Sequence, residues 1–272
     1  RLTDRLGQPV VIDNKPGAGG AIAVQAMMGA PRDGQTIMVT ASNVLTEIPH
    51  VMKTSFDPLK DVRPVATIAR AGMVLVGGAQ LAPNDMKELV AYVKAHPGKQ
   101  SFASYSAGTS SHYAGMILNQ KAGLDLQHVP FAGSPPALTQ VIGGQITVMF
   151  DGIVTSMPQI KGGKLKAFGV ASKTRSAHLP QVPTLAELGF PELDFSNWLG
   201  VVVATGVPTD IVDKINAATL KAASAPAIVE RLSSVGFEPN TKLSSSELAA
   251  SVKAEYDRNA GIVKAFNIQI NQ

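Results

Sequence analysis

From Ser101 to Ala171 the chain repeats one pattern: a short apolar run, a turn of small residues, then a stretch with apolar residues at helical spacing. The spacing predicts strands at 100–106, 126–132, 145–151 and 165–171, with helices near 109–122, 135–142 and 153–161. Strands separated by helices pair by crossover and not as hairpins, so the pattern predicts a parallel sheet with helices packed on its faces. In an open α/β sheet of that kind, ligands bind beyond the carboxyl ends of the strands.

The residues at those ends are therefore the candidate site. They are Ser42-Asn43 after a predicted strand Thr36–Ala41, Ala107–Ser111, Phe131–Pro135, and Asp151-Gly152. Small, hydroxylated or glycine residues let backbone groups approach a ligand closely. Within Ser101-Phe-Ala-Ser-Tyr-Ser-Ala-Gly-Thr-Ser-Ser-His112 the turn is Ala107-Gly108, and Thr109, Ser110 and Ser111 open the helix. A helix start leaves backbone N–H groups without intrahelical partners at the positive end of the dipole, where an anion can sit. The expectation is capture of a small carboxylate with no chemistry done on it.

Outside the repeat, Leu2 and Leu6 read as the tail of a helix, and Val10-Val-Ile-Asp-Asn14 as a short strand. Pro16-Gly-Ala-Gly-Gly20 is a tight turn into a helix over 21–28, and two strands follow at Val62–Ile68 and Met73–Gly77. Asn84-Asp85 caps an amphipathic helix with Met86, Leu89, Val90 and Val93 on one face. After an apolar run over Phe195–Ala204, which contains Trp198, come three helices near 208–224, 226–235 and from the capping box Ser244-Ser-Ser-Glu247 to about 266.

Several chemistries are disfavoured. With no cysteine, thiol catalysis and cysteine–zinc sites are excluded. The net charge of +4 comes from scattered residues, without the basic stripe and interleaved aromatics of a nucleic-acid binder. Ser110 and His112 are two apart on a helix and point apart, and no G-x-S-x-G elbow is present, which argues against a hydrolase. His112, His128 and Asp151 lack metal-ligand spacing, and strand alternation turns His128 outward. Asp151 either caps the helix that follows it or accepts a hydrogen bond from ligand or water. No cofactor is called for.

Several segments in order resemble one family: Val10–Gly20, Gly108-Thr-Ser-Ser-His112, His128-Val-Pro-Phe-Ala-Gly-Ser-Pro-Pro-Ala-Leu138, Gly143-Gly-Gln145, Met149-Phe-Asp151, Gly163–Ala167 and Val182-Pro-Thr184 with Glu187. They are similar to the extracytoplasmic solute-binding receptors of tripartite tricarboxylate transporters, the Bug or TctC-like family. The resemblance implies a periplasmic, monomeric binding protein of the type II kind, with two α/β lobes, a hinge and an interlobe ligand cleft. Residues 1–76 with 197–272 would form one lobe, and 77–196 the other. It also implies that Ala107, Gly108, Thr109, Ser110, Ser111, Phe131, Ala132, Gly133, Ser134 and Asp151 line the site from the second lobe, and Ser42 from the first. The captured carboxylate would pass to membrane permease subunits. A sensory partner on the same fold, or a hydrolase using the same cleft, are the alternatives. Family members begin with a strand and a Pro-Gly-Gly loop ahead of the segment matching Arg1–Leu6, so a strand of the first lobe and one wall of the anion cage are expected to be absent here.

Overall fold

A computed structural model describes residues 7–15, 17–238 and 243–268. Arg1–Leu6, read above as a helix tail, lies outside them. In chain order the elements are α1 (Ala21–Met28), β1 (Met38–Ala41), α2 (Asn43–Thr46), β2 (Val62–Gly78), α3 (Met86–Ala95), β3 (Ser101–Ser104), α4 (Ser110–Ala122), β4 (Gln127–Pro130), α5 (Ser134–Ile142), β5 (Val148–Gly152), α6 (Ile153–Lys161), β6 (Leu165–Val170), β7 (Ser196–Ala204), α7 (Thr209–Ala223), α8 (Pro226–Ser234) and α9 (Ser245–Ala265). The chain divides into two compact units, Arg1–Arg70 with Asn197–Gly261 and Ala71–Ser196 with Ile262–Gln272.

In the first unit β7 lies between β1 and the first half of β2, antiparallel to β1 with Met38 opposite Val202. The two faces of β7 are both buried. Val202 and Ala204 pack with Val24, Met27, Leu45, Trp198, Leu248 and Val252, while Val201 and Val203 pack with Val65, Val212 and Ile215. A strand covered on both faces needs an uninterrupted apolar run, which is what 199–204 supplies. Two side chains close the carbonyls of β2 in this unit: Asn216 Nδ2 donates to Val65 O (2.7 Å) and Ser245 Oγ to Pro64 O (2.7 Å). Val10–Asn14, expected as a strand, is assigned to no sheet, and Val11 and Ile12 are exposed.

The second unit holds a sheet in the order β4-β3-β5-β2-β6. β3 is parallel to both β4 and β5, as the repeat demands. The second half of β2 runs antiparallel between β5 and β6, with Val74 opposite both Asp151 and Val170. The purely parallel sheet is thus corrected to a mixed one. The runs at 62–68 and 73–77 are also one strand of 17 residues, because Ala69-Arg70-Ala71-Gly72 carries no Pro, Asn or Asp to turn the chain. The core here is Val74, Val76, Ala103, Val141, Met149 and Ile153 with their neighbours.

The cap of α3 is as expected. Asp85 Oδ1 accepts from Glu88 N–H (2.8 Å), and Glu88 Oε2 accepts from Asn84 N–H (2.8 Å). Asp85→Ala should therefore cost about 1 kcal/mol in urea unfolding, with Asp85→Ser close to the unaltered chain.

Candidate functional site

The three parallel strands of the second unit each end in a turn that starts a helix: β3 into α4, β4 into α5, β5 into α6. The first turn is built from the backbone outward. Gly108 has φ +74°, a left-handed conformation that a side chain would strain. Thr109 is the extended N-cap of α4, but its hydroxyl donates back to Ser106 O (2.7 Å) and does not cap the helix. Ser111 Oγ donates to Phe150 O on β5 (2.5 Å), and Tyr113 N–H makes a helical bond to Thr109 O (2.9 Å). The hydroxyls of Thr109 and Ser111 thus shape the turn. Thr109, Ser110 and Ser111 are buried and Ala107 is half-buried.

The second turn is tied to the first through the backbone. Phe131 N–H donates to Ser104 O (2.9 Å) and Gly133 N–H to Tyr105 O (2.8 Å). Phe131 is half-buried against the core, Ala132 is exposed, and Gly133 is the N-cap of α5 at φ +115°. Ser134, the first residue of α5, donates its hydroxyl to Asp151 Oδ1 (2.6 Å). Asp151 Oδ2 accepts from Thr155 Oγ1 (2.5 Å) and Ser156 Oγ (2.7 Å), both in the first turns of α6. Asp151 is fully buried. Burial pushes its carboxyl above the usual range, against the opposing pull of those hydroxyls and of Gly152 N–H. The structure thus brings together Ala107–Ser111, Phe131–Ser134 and Asp151. Asp151 is not the N-cap of α6, which is Gly152; its carboxyl accepts from the hydroxyls of α5 and α6.

This leaves an electrostatic asymmetry. The Asp151 carboxylate lies at the N-terminal turns of α5 and α6, where negative charge offsets the helix dipole. The first turn of α4 has no acidic residue. No Lys or Arg occurs in 105–112, 131–136 or 151–156, so the positive end of α4 is the fixed partial charge that the three turns offer to an anion.

Under the first turn lies a pair of imidazoles that the sequence reading missed. His128 does not turn outward. Its ring stacks on that of His112 with centroids 3.8 Å apart and planes 9° apart, and Phe102 stacks on His128 at 5.0 Å. The cause is register: β4 pairs with β3 so that Phe102 is opposite His128, and Ser104 Oγ meets His128 Nε2 at 2.7 Å. Gly108 N–H donates to His112 Nδ1 (3.2 Å). Burial holds His112 down to about 4, and burial with the neighbouring His112 holds His128 down to about 3.

The sign of the pH effect follows. The unfolded chain protonates both histidines near pH 6.5, but the folded chain does so only near 4 and 3, so the unfolded state binds more protons between those values. Stability supplied by the pair is therefore lost as pH falls from about 6.5 toward 4. Asp151 and Glu255, both raised by burial, act with the opposite sign. The readout is thus a difference: melting temperature from pH 7 to 4.5 should fall more steeply for the unaltered chain than for His128→Phe, which keeps the stack and cannot titrate.

Ser42 belongs to the first unit. It is fully buried at the start of α2 without capping it. Its hydroxyl donates to Asn197 Oδ1 (3.1 Å) and accepts from Trp198 N–H (3.3 Å), and its own N–H donates to Trp198 O (2.9 Å). Trp198 is buried, with Nε1 donating to Glu255 Oε2 (3.3 Å).

Residues 1–268 match the Tripartite tricarboxylate transporter family receptor, TctC. A UPF0065 protein in the tcbD–tcbE intergenic region of Pseudomonas sp. strain P51 is 33% identical over 274 residues, covering 100% of this chain and 81% of the relative. A solved structure described as a periplasmic transporter superposes with a TM-score of 0.91 at 35% identity, over 99% of this chain and 90% of the other. MatC from Rhodopseudomonas palustris with bound malate gives 0.87 at 32% identity, over 96% and 90%. R. palustris Rpa4515 with adipate gives 0.91 at 27% identity, over 98% and 90%.

Proposed function

The chain belongs to the tripartite tricarboxylate transporter receptor family, a family of periplasmic binding proteins and not enzymes, and from that premise we propose that it captures a small carboxylate at the start of α4. The turns Ala107–Ser111 and Phe131–Ser134 form the binding face, and Asp151 holds them in place. The receptor then hands its ligand to the membrane subunits of a tripartite transporter.

One observation carries the reading. Asp151 serves the dipoles of α5 and α6, whereas α4 presents its positive end with no acid in its first turn. An external carboxylate completes what Asp151 does for the other two helices. The malate and adipate complexes of two relatives support a dicarboxylate as ligand. Without a basic side chain in the three turns, the anion is held by amide dipoles at short range, and its affinity should depend weakly on salt. A micromolar Kd corresponds to about −8 kcal/mol, within reach of several amide–carboxylate bonds after ordering costs.

The test is a thermal-shift screen of mono-, di- and tricarboxylates at pH 7.5, followed by titration of any that raise the melting temperature. Malate or adipate is expected to raise it saturably. A chain indifferent to every carboxylate contradicts the reading.

A further inference from the structure

We propose that His112 is a positioning residue for the anion turn: its neutral Nδ1 accepts the Gly108 N–H and so fixes the plane of the Ala107–Gly108 peptide. The inference rests on the proposed carboxylate site. A backbone N–H can only donate, so the 3.2 Å contact requires a lone pair on Nδ1 and places the ring proton on Nε2. The peptide is planar, so fixing its N–H on one side fixes the Ala107 carbonyl on the other. Gly108 sits at φ +74° and carries no side chain to resist rotation, and the other bond on this peptide is the longer one from Ser106 Oγ to Ala107 O (3.3 Å).

The surroundings keep the acceptor aimed. His112 is buried, and its ring is held flat against His128 at 3.8 Å, which in turn is held by Phe102 and Ser104 from β3. These contacts account for an aromatic ring at position 112. They do not require a nitrogen at Nδ1. The hydrogen bond to Gly108 does, and it lies four residues along the chain from the turn that the site depends on. Without the acceptor the peptide can turn over and present a carbonyl oxygen where the carboxylate sits, or leave its buried N–H unpaired.

Two variants separate the ring from the acceptor. His112→Phe keeps the stack and removes Nδ1. His112→Asn removes the stack and keeps an acceptor, since the amide oxygen occupies nearly the place of Nδ1. If His112 only fills space, Phe is harmless and Asn is damaging throughout. If it positions the turn, Phe weakens binding by about tenfold with a smaller loss of melting temperature than Asn, and Asn retains affinity. The experiment is calorimetric titration of malate and adipate into the unaltered chain and both variants at pH 7.5, with melting temperatures and ¹⁵N imidazole spectra of each. The expected result is weakened binding for Phe, retained binding for Asn, and an Nε2–H tautomer for His112 in the unaltered chain. Unchanged affinity in His112→Phe, or an Nδ1–H tautomer, overturns the proposal. If neither acid binds the unaltered chain, the carboxylate reading fails by itself, and the tautomer alone decides whether His112 accepts from the turn.

Discussion

Asp151→Ala is expected to destabilise the chain by about 3–5 kcal/mol, the largest loss from any single change at the site. Asp151 is fully buried, and its two oxygens accept from Ser134, Thr155 and Ser156. Alanine would leave the hydroxyls of Ser134 and Ser156 facing an acceptor that is gone, with Thr155 still able to donate to Gly152 O (3.0 Å), and would remove the charge that offsets the dipoles of α5 and α6. It would also cut the tie between the β4–α5 turn and α6, so carboxylate affinity should fall with stability. Asp151→Asn separates charge from shape. Hydroxyls can reverse and accept from an amide, so the bonds are kept and only the charge is lost, and Asn should cost less than about 2 kcal/mol. Urea unfolding of the two variants checks this. An alanine variant within about 1 kcal/mol of the unaltered chain would show that Asp151 does not tie the turns.

Gly115→Ala should also destabilise the chain, although alanine is the better helix former. A Cβ at position 115 of α4 would stand 2.1 Å from Phe102 Cε2 and 2.3 Å from Cδ2. Helix propensity favours alanine by about 1 kcal/mol. Overpacking a filled core costs about 1–3 kcal/mol, and here the obstacle cannot swing away: Phe102 is fully buried and stacked on His128. The clash wins, with a net loss of about 2 kcal/mol and α4 lifted from β3. Because α4 begins at the anion turn, ligand affinity should weaken as well. Phe102→Leu in the same chain makes room, so the double variant should be less destabilised than the sum of the two singles in a melting series.

The same residues show how far the fold was readable beforehand. Each strand–helix unit from 101 to 170 was legible, because helical and strand periods differ and small residues mark the turns between them. The placement of the turns that hold Ala107–Ser111, Phe131–Ser134 and Asp151 followed from that repeat. The direction of β2 did not, since an apolar run bears no mark of parallel or antiparallel pairing, and its continuity across Ala69–Gly72 was hidden by a charge and a glycine that merely lie in an extended strand. Strand alternation alone misplaces His128, because it states which side a residue faces only once the register with Phe102 is known. The Gly108–His112 bond was the signal within reach, a histidine four residues after a turn glycine. Of the Asp151 partners, Thr155 and Ser156 were local enough to suspect, whereas Ser134 is 17 residues away and needed the pairing of the sheet. The partners of the Ser42 hydroxyl, Asn197 and the Trp198 backbone, lie more than 150 positions along the chain and needed the pairing of β1 with β7.

The carboxylate claim is tested most directly by titrating malate and adipate into the unaltered chain and into Ala107→Asp at pH 7.5. The substitution puts a resident carboxylate at the half-buried mouth of the turn, where a negative charge also suits the start of α4. The account predicts saturable binding of at least one acid to the unaltered chain with a Kd of about 1 μM, and its loss in a variant that still melts cooperatively at or above the original temperature. Binding that survives Ala107→Asp undiminished, or a folded unaltered chain that takes up neither acid, would contradict it.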